Sequence, residues 1–193
     1  MNFNKEKKEF LRKKDKSRKG SIDKKIKTLV GKIKSLGYFF TTSSCSGRIL
    51  LATIPKSNKK NEVEYLFCSH NKIKNDEFKK IMKISLPKND VWLRVDGAIL
   101  HVACKNLESA KKLLNVARDA GFRRSGIISM GKNRVTLELI STEKIEAIIG
   151  KNGKLLADED YLKALIKEGN KKLEKTWGKI GKLGKELENF VTT

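Results

Sequence analysis

Three serines, a cysteine, a glycine and an arginine stand in one run at residues 43–48, Ser43-Ser44-Cys45-Ser46-Gly47-Arg48, the densest chemistry in the chain. Aromatic and β-branched residues flank the run, so residues 38–54 read as a strand, a tight turn and a second strand. Small side chains leave the backbone approachable, and Gly47 can take positive φ. The N–H groups, the hydroxyls and the Arg48 guanidinium can then cradle an anion or a polar ligand. A plain serine-rich turn gives the same pattern, since turns favour Ser and Gly.

Groups able to move a proton lie elsewhere: Asp23, Asp96, His70 and His101. His70 follows Ser69 at the end of a strand-like run and is the better site residue. His101 sits in an apolar strand, where a satisfied core histidine and a functional one are both open. Asp15 and Asp23 flank a lysine-rich turn, where capping a helix or pairing with Lys16 or Lys19 competes with chemistry. Cys45, Cys68 and Cys104 are widely spaced with no Cys-x-x-Cys, which excludes a disulfide framework and a zinc ribbon. A thiol or metal enzyme built on Cys45, Cys68, His70 and His101 is a third, weaker reading. Small buried thiols suit Cys68 and Cys104 better, and no metal is expected.

Lysine and arginine number 44 against 22 aspartates and glutamates, a formal charge of +22 over 193 residues. Solubility needs far less, so a polyanionic partner is the first expectation. Nucleic acid fits, because neutralised phosphates release counterions and reward scattered lysines with salt-sensitive binding. Heat-adapted proteins also gather lysine, but with matching glutamate, which is missing here. No apolar run approaches the roughly 18 residues of a membrane span, and the beginning of the sequence is too charged for a signal peptide, so a cytoplasmic location is expected.

The elements that must position these groups follow from periodicity. Residues 5–14 form a basic helical lead-in anchored by Phe3, Phe10 and Leu11, and a polar loop follows. Ser21 then caps a helix to Leu36, whose stripe is Ile22, Ile26, Leu29, Val30, Ile33 and Leu36. After the strands around the serine run come a solvated loop at 56–61, a strand at 62–70 and a helix at 76–86. A long strand-like run covers 91–104, with a bulge at Gly97. Asn106 caps the next helix, Gly121 stops it, and 123–130 with 134–141 make a hairpin turning at 131–133. From residue 158 to 191 helical spacing persists, with Gly178, Gly181 and Gly184 as a small-residue ridge where the helix could pack closely or break. That order is not doubly wound. It predicts an α+β fold, one domain over 1–193 with a mixed or antiparallel sheet, flanking helices, a basic lead-in at 1–20 and a C-terminal helical segment at 158–191. No Gly-x-Gly-x-x-Gly follows a strand and no Walker-type lysine loop exists.

The serine run joins other ordered fragments: Asp15-Lys16-Ser17, Lys19-Gly20, Ile22-Asp23, Phe67-Cys68-Ser69-His70, Ile99-Leu100-His101-Val102, Ala120-Gly121-Phe122-Arg123 and Ser125-Gly126-Ile127. Together they resemble the wybutosine-synthesis protein 3 family over about residues 10–170. Arg124 stands where that family's run carries asparagine, and Ile140 where it carries arginine. The resemblance implies a methyltransferase outside the Rossmann class that uses S-adenosyl-L-methionine. It would act at the N-4 position of the tricyclic guanine (7-aminocarboxypropyl-demethylwyosine) in the anticodon loop of tRNA(Phe). It further implies cofactor contacts from Ser43, Ser44, Cys45, Ser46, Gly47, Arg48, Ser125 and Gly126. A proton acceptor would come from Asp23, His70 or His101, and RNA contacts from Lys16, Arg18, Lys19, Arg94, Arg123 and Arg124. Methyl transfer depends on holding the reacting atoms in line, so a binding loop matters more than a nucleophile. Tyr38, Phe39, Trp92 and Phe122 are available for base stacking if exposed.

The alternative is a non-catalytic RNA-binding protein, because Gly150-Lys151-Asn152-Gly153 mimics the glycine loop of KH modules. Such a loop must join two short helices.

Overall fold

The computed structural model describes residues 2–12, 21–55 and 63–190. In chain order the elements are α1 (Phe3–Arg12), α2 (Lys27–Ser35), β1 (Phe39–Cys45), β2 (Arg48–Thr53), β3 (Glu64–Ser69), α3 (Asn75–Met82), β4 (Val91–Asp96) and β5 (Ile99–Cys104). They continue with α4 (Leu107–Asp119), β6 (Gly126–Met130), β7 (Val135–Ile140), β8 (Lys144–Lys151), β9 (Lys154–Leu155) and α5 (Glu159–Asn189). Among the described residues the architecture is α+β with two sheets, every pairing antiparallel, and no doubly wound parallel sheet. The chain divides into two compact units, one comprising Met1–Ser46, Ala98–Thr142 and Thr176–Thr193, the other Gly47–Gly97 and Glu143–Lys175.

The first unit holds the four-stranded sheet, in the order β1-β5-β7-β6. Alternation sends Phe39, Leu100, Val102, Leu137 and Leu139 into one core. Ile26, Leu29 and Ile33 of the second helical segment, Leu113 and Ala117 of α4, and Ile180, Leu183 and Leu187 of α5 complete that core. On β1 the ring of Phe40 packs instead against Phe3 and Phe10 of α1, each with centroids 5.4 Å away. The lead-in helix is therefore anchored by the two phenylalanines foreseen, while Leu11 stays exposed.

Helix α2 begins five residues later than the Ser21 cap would place it. The Asp23 carbonyl accepts the N–H groups of Ile26 and Lys27, closing a turn first, and Ile22 faces outward. Asn106 caps α4 as its sequence signals, its side chain accepting the Ser109 N–H at 2.9 Å. Gly121 ends that helix with φ of 103°. The hairpin at 126–140 turns where expected, with Gly131 N–H on Arg134 O at 2.9 Å.

The second unit holds the five-stranded sheet, in the order β3-β2-β4-β8-β9. Its α5 segment presses Gly169 onto Val95 and Ile49, where an added Cβ would meet them at 3.0 and 3.2 Å. Asn170 brackets Ile73 through its N–H and its carbonyl, at 2.8 and 2.9 Å, fixing the segment that enters α3. Cys68 lies exposed on the edge strand β3, which corrects its reading as a buried thiol, whereas Cys104 is fully buried. Burial pushes the Cys104 thiol up to about 12.

Three expectations change. Residues 38–54 are not a hairpin: β1 pairs with β5, while β2 pairs with β3 and β4. The run 91–104 is likewise two strands in two sheets, so Gly97 marks a change of sheet rather than a bulge. The glycines at 178 and 181 interrupt neither α5 nor face a close neighbour among the described residues, so they form no packing ridge. None of the described helices is long and apolar enough to cross a membrane.

Candidate active site

Inside the serine run, Ser46 is fully buried, and both its N–H and its hydroxyl donate to Asp23 Oδ2, at 3.0 and 3.2 Å. Its carbonyl accepts the indole N–H of Trp177 at 3.1 Å, and the Lys25 ammonium lies 4.6 Å from that ring's centre. Asp23 is only 6% exposed, so its carboxylate braces the end of β1 instead of capping a helix. Gly47 follows with φ of 94°, a conformation that costs other residues about 1–2 kcal/mol. The Gly47 carbonyl meets His70 Nδ1 at 3.1 Å; a carbonyl only accepts, so the imidazole donates there.

Arg48 Nε donates to Asp96 Oδ2 at 3.1 Å, and its guanidinium lies 5.3 Å from the Tyr65 ring centre. Arg94 donates to Asp96 at 3.4 Å and to Glu146 at 3.0 Å. On this sheet the guanidinium charges are balanced by carboxylates, and the direction of each arginine is fixed by a cross-strand partner. Arg94 Nε is buried with no hydrogen-bond partner among the described residues.

Register brings together residues that the sequence left apart. Between Thr41 and Ser43 the β1–β5 ladder shifts by one residue. Without that bulge Ser43 would share the face of Phe39; with it, Ser43 stands opposite His101. His101 in turn opposes Glu138 on β7, and Glu138 opposes Gly126 on β6. Ser43, His101, Glu138 and Gly126 thus form one row across all four strands. Ser43 Oγ lies 2.9 Å from His101 Nδ1, and Glu138 Oε1 lies 2.9 Å from His101 Nε2. His101 is therefore not a core histidine: its side chain is 33% exposed, on the face opposite the core of Leu100 and Val102.

The remaining residues divide clearly. Ser125 is buried, with its hydroxyl donating to Phe122 O at 2.6 Å and accepting Ile140 N–H at 3.0 Å, so it latches the turn before β6. Gly126 is half-buried, while Arg123 and Arg124 are exposed just before it. Lys16, Arg18 and Lys19, with Asp15 and the loop at 56–61, lie outside the described residues. Phe39 and Phe122 are fully buried, which leaves exposed Tyr38 and half-buried Trp92 as the stacking surfaces. The KH-like run is a β-hairpin: β8 turns through Asn152 and Gly153, with φ of 52° and 76°, into β9. Two strands, not two helices, flank it, which removes the ground for the KH reading.

Sequence reasoning missed Glu138, Trp177 and Lys25. The alternation of Thr136, Glu138 and Ile140 against Val135, Leu137 and Leu139 signals a polar face for Glu138, but only strand pairing reveals its partner.

The family model described as Methyltransferase TYW3 matches residues 5–189. The chain belongs to this family. Among relatives, it is 35% identical over 171 residues to "tRNA(Phe) 7-((3-amino-3-carboxypropyl)-4-demethylwyosine(37)-N(4))-methyltransferase 1" of Pyrococcus furiosus, covering 89% of this chain and 87% of that protein. It is 36% identical to "tRNA wybutosine-synthesizing protein 3 homolog" of Xenopus laevis, covering 90% and 70% of the two chains. Among solved structures, the PH1069 protein from Pyrococcus horikoshii superposes with a TM-score of 0.85 at 34% identity, over 96% of each chain. The resemblance carried by the SSCSGR and GFR-x-SGI runs thus holds, and TYW3 methyltransferases are the frame in which the site is read.

Proposed function

We propose that this chain transfers a methyl group from S-adenosyl-L-methionine to the N-4 nitrogen of the wybutosine precursor 7-aminocarboxypropyl-demethylwyosine, beside the anticodon of tRNA(Phe). The observation that carries the reading is the pairing of Ser43 with His101 at the end of the serine strand, in a chain matched to the methyltransferase family over residues 5–189. Relatives from Pyrococcus furiosus and Thermococcus sibiricus bear the name of that activity. A tRNA substrate calls for a cytoplasmic protein and accounts for the +22 charge.

The donor set suits such a cofactor. An amino-acid carboxylate asks for N–H, hydroxyl or guanidinium donors, while an ammonium and ribose hydroxyls ask for acceptors. Ser44, Cys45, Gly47 and Arg48 would hold it, and Ser46 would contribute through the loop shape that Asp23 fixes. When bound, S-adenosyl-L-methionine supplies an electrophilic methyl group on a sulfonium. This chain's residues do the rest by position. Asp23 and Trp177 hold the Ser46 backbone from two sides. His70 fixes the direction of the Gly47 carbonyl. His101, partly exposed with Nδ1 facing the Ser43 hydroxyl, is the base on which a proton leaving the acceptor nitrogen would come to rest. Arg123 and Arg124, with Lys16, Arg18, Lys19 and Arg94, would meet phosphates, and Tyr38 offers an exposed ring to a base.

The test is incubation of the full chain with isotope-labelled S-adenosyl-L-methionine and tRNA from cells lacking this enzyme, followed by nucleoside mass spectrometry. Label on N-4 of the tricyclic guanine is the expected result. RNA binding without label on any nucleoside overturns the proposal, and absence of cofactor binding by calorimetry with tRNA present overturns the assigned donor.

A further inference from the structure

We infer that Ser43, His101 and Glu138 form a directed proton relay, in which the Ser43 hydroxyl is the group that meets the acceptor nitrogen and Glu138 is a positioning residue. The inference rests on the methyltransferase reading above and assigns the order of the parts within it.

The direction follows from which atoms can donate. An ionised carboxylate only accepts, so the proton shared between Glu138 Oε1 and His101 Nε2, 2.9 Å apart, sits on Nε2. A neutral imidazole carries one ring proton, which leaves Nδ1 bare. The contact of 2.9 Å between Nδ1 and Ser43 Oγ must then have the hydroxyl as donor. Three side chains on three adjacent strands therefore point their hydrogens one way, from β1 through β5 to β7. The backbone supports the arrangement, since the bulged Thr42 donates its own hydroxyl to the His101 carbonyl at 3.4 Å.

Exposure falls in the same direction. Ser43 is exposed, the His101 side chain is 33% exposed and the Glu138 side chain 29%. Ligand access is therefore easiest at the hydroxyl end, where a serine sits in the very run that the sequence marks as a binding loop. The proton movement balances simply. As the acceptor N–H bond breaks, its proton goes to Ser43 Oγ and the Ser43 proton goes to His101 Nδ1. The electron pair stays on the acceptor nitrogen, which uses it for the new N–C bond, while the methyl–sulfur bond of bound S-adenosyl-L-methionine would break with its electron pair returning to sulfur, so that the neutral thioether S-adenosyl-L-homocysteine leaves. The imidazolium lies between a hydroxyl and the Glu138 carboxylate until water removes the proton. Glu138 never touches substrate. It fixes the tautomer and favours the charged ring, the part a carboxylate plays in serine–histidine–acid constellations generally.

The experiment uses the full chain. Two histidines make the imidazole nitrogen spectrum simple, and His101→Gln identifies the signals of residue 101. At a pH where the ring is neutral, nitrogen–proton correlation spectra are expected to show the Nε2–H tautomer. Steady-state kinetics on competent tRNA are expected to show kcat for Glu138→Gln and for Ser43→Ala reduced by about 10- to 100-fold, with KM for tRNA unchanged. An Nδ1–H tautomer in the unaltered chain overturns the relay. So does unchanged kcat in Glu138→Gln, or a loss expressed only in KM. If Glu138→Gln is slow while Ser43→Ala turns over normally, the imidazole meets the substrate directly and the assigned order is overturned. Failure of the unaltered chain to label tRNA overturns the methyltransferase reading itself, an outcome distinct from all of these.

Discussion

Ser46 shows how a residue can look like a ligand donor and be a brace. Its hydroxyl and N–H, fully buried, already hold the Asp23 carboxylate, so replacing Asp23 with alanine strands two buried donors. Urea unfolding of Asp23→Ala should show a loss of about 2–4 kcal/mol, with little change if the carboxylate were a solvent-facing base. The thiols separate just as sharply. With its thiol pushed up to about 12 by burial, Cys104 should resist iodoacetamide at pH 8 in the native protein, while exposed Cys68 is alkylated, as peptide mass spectrometry can read. The residue types of this site were legible, since serines, histidines and Asp23 all stood out in the sequence. Their partnerships were not. A single extra residue at the β1 bulge decides that Ser43 meets His101, and no local pattern in Thr41-Thr42-Ser43 announces it.

Helix α5 carries glycines of two kinds. Gly169 lies against Ile49 and Val95, so Gly169→Ala overpacks that contact and should cost about 1–3 kcal/mol. Gly178 and Gly181 face open space among the described residues, so alanine at either should stabilise by about 0.5–1 kcal/mol through helix propensity alone. Thermal melts followed by circular dichroism distinguish the two classes in sign. Sequence periodicity found this helix because its apolar positions keep helical spacing from Leu162 to Leu187, and it found α4 because Asn106 and Gly121 punctuate both ends. It extended α2 by one and a half turns because Ser21 and Ile22 fit the pattern, while the turn closed by the Asp23 carbonyl is invisible to periodicity. Spacing also could not tell which glycines meet a neighbour, because that neighbour comes from strands more than seventy residues away.

The whole molecule's excess of 22 positive charges makes RNA affinity a matter of salt. If about six phosphates are neutralised, binding of tRNA should weaken about 1,000-fold between 50 and 200 mM salt, and the double change of Arg123 and Arg124 to alanine should lower the log–log slope by about 2. Filter binding across a salt series measures both. The α+β class and the absence of a doubly wound sheet were legible from element order. The division into two sheets was not, because Gly47 and Gly97 read as punctuation of one sheet when each marks a passage between two. That division has a consequence for synthesis on the ribosome. The unit that opens with the first residues takes Ile180, Leu183 and Leu187 into its core, and the other needs residues 143–175. Neither forms as a finished body from its earliest segments alone; synthesis must pass Leu187 before the segment around Ile26 finds its last neighbours.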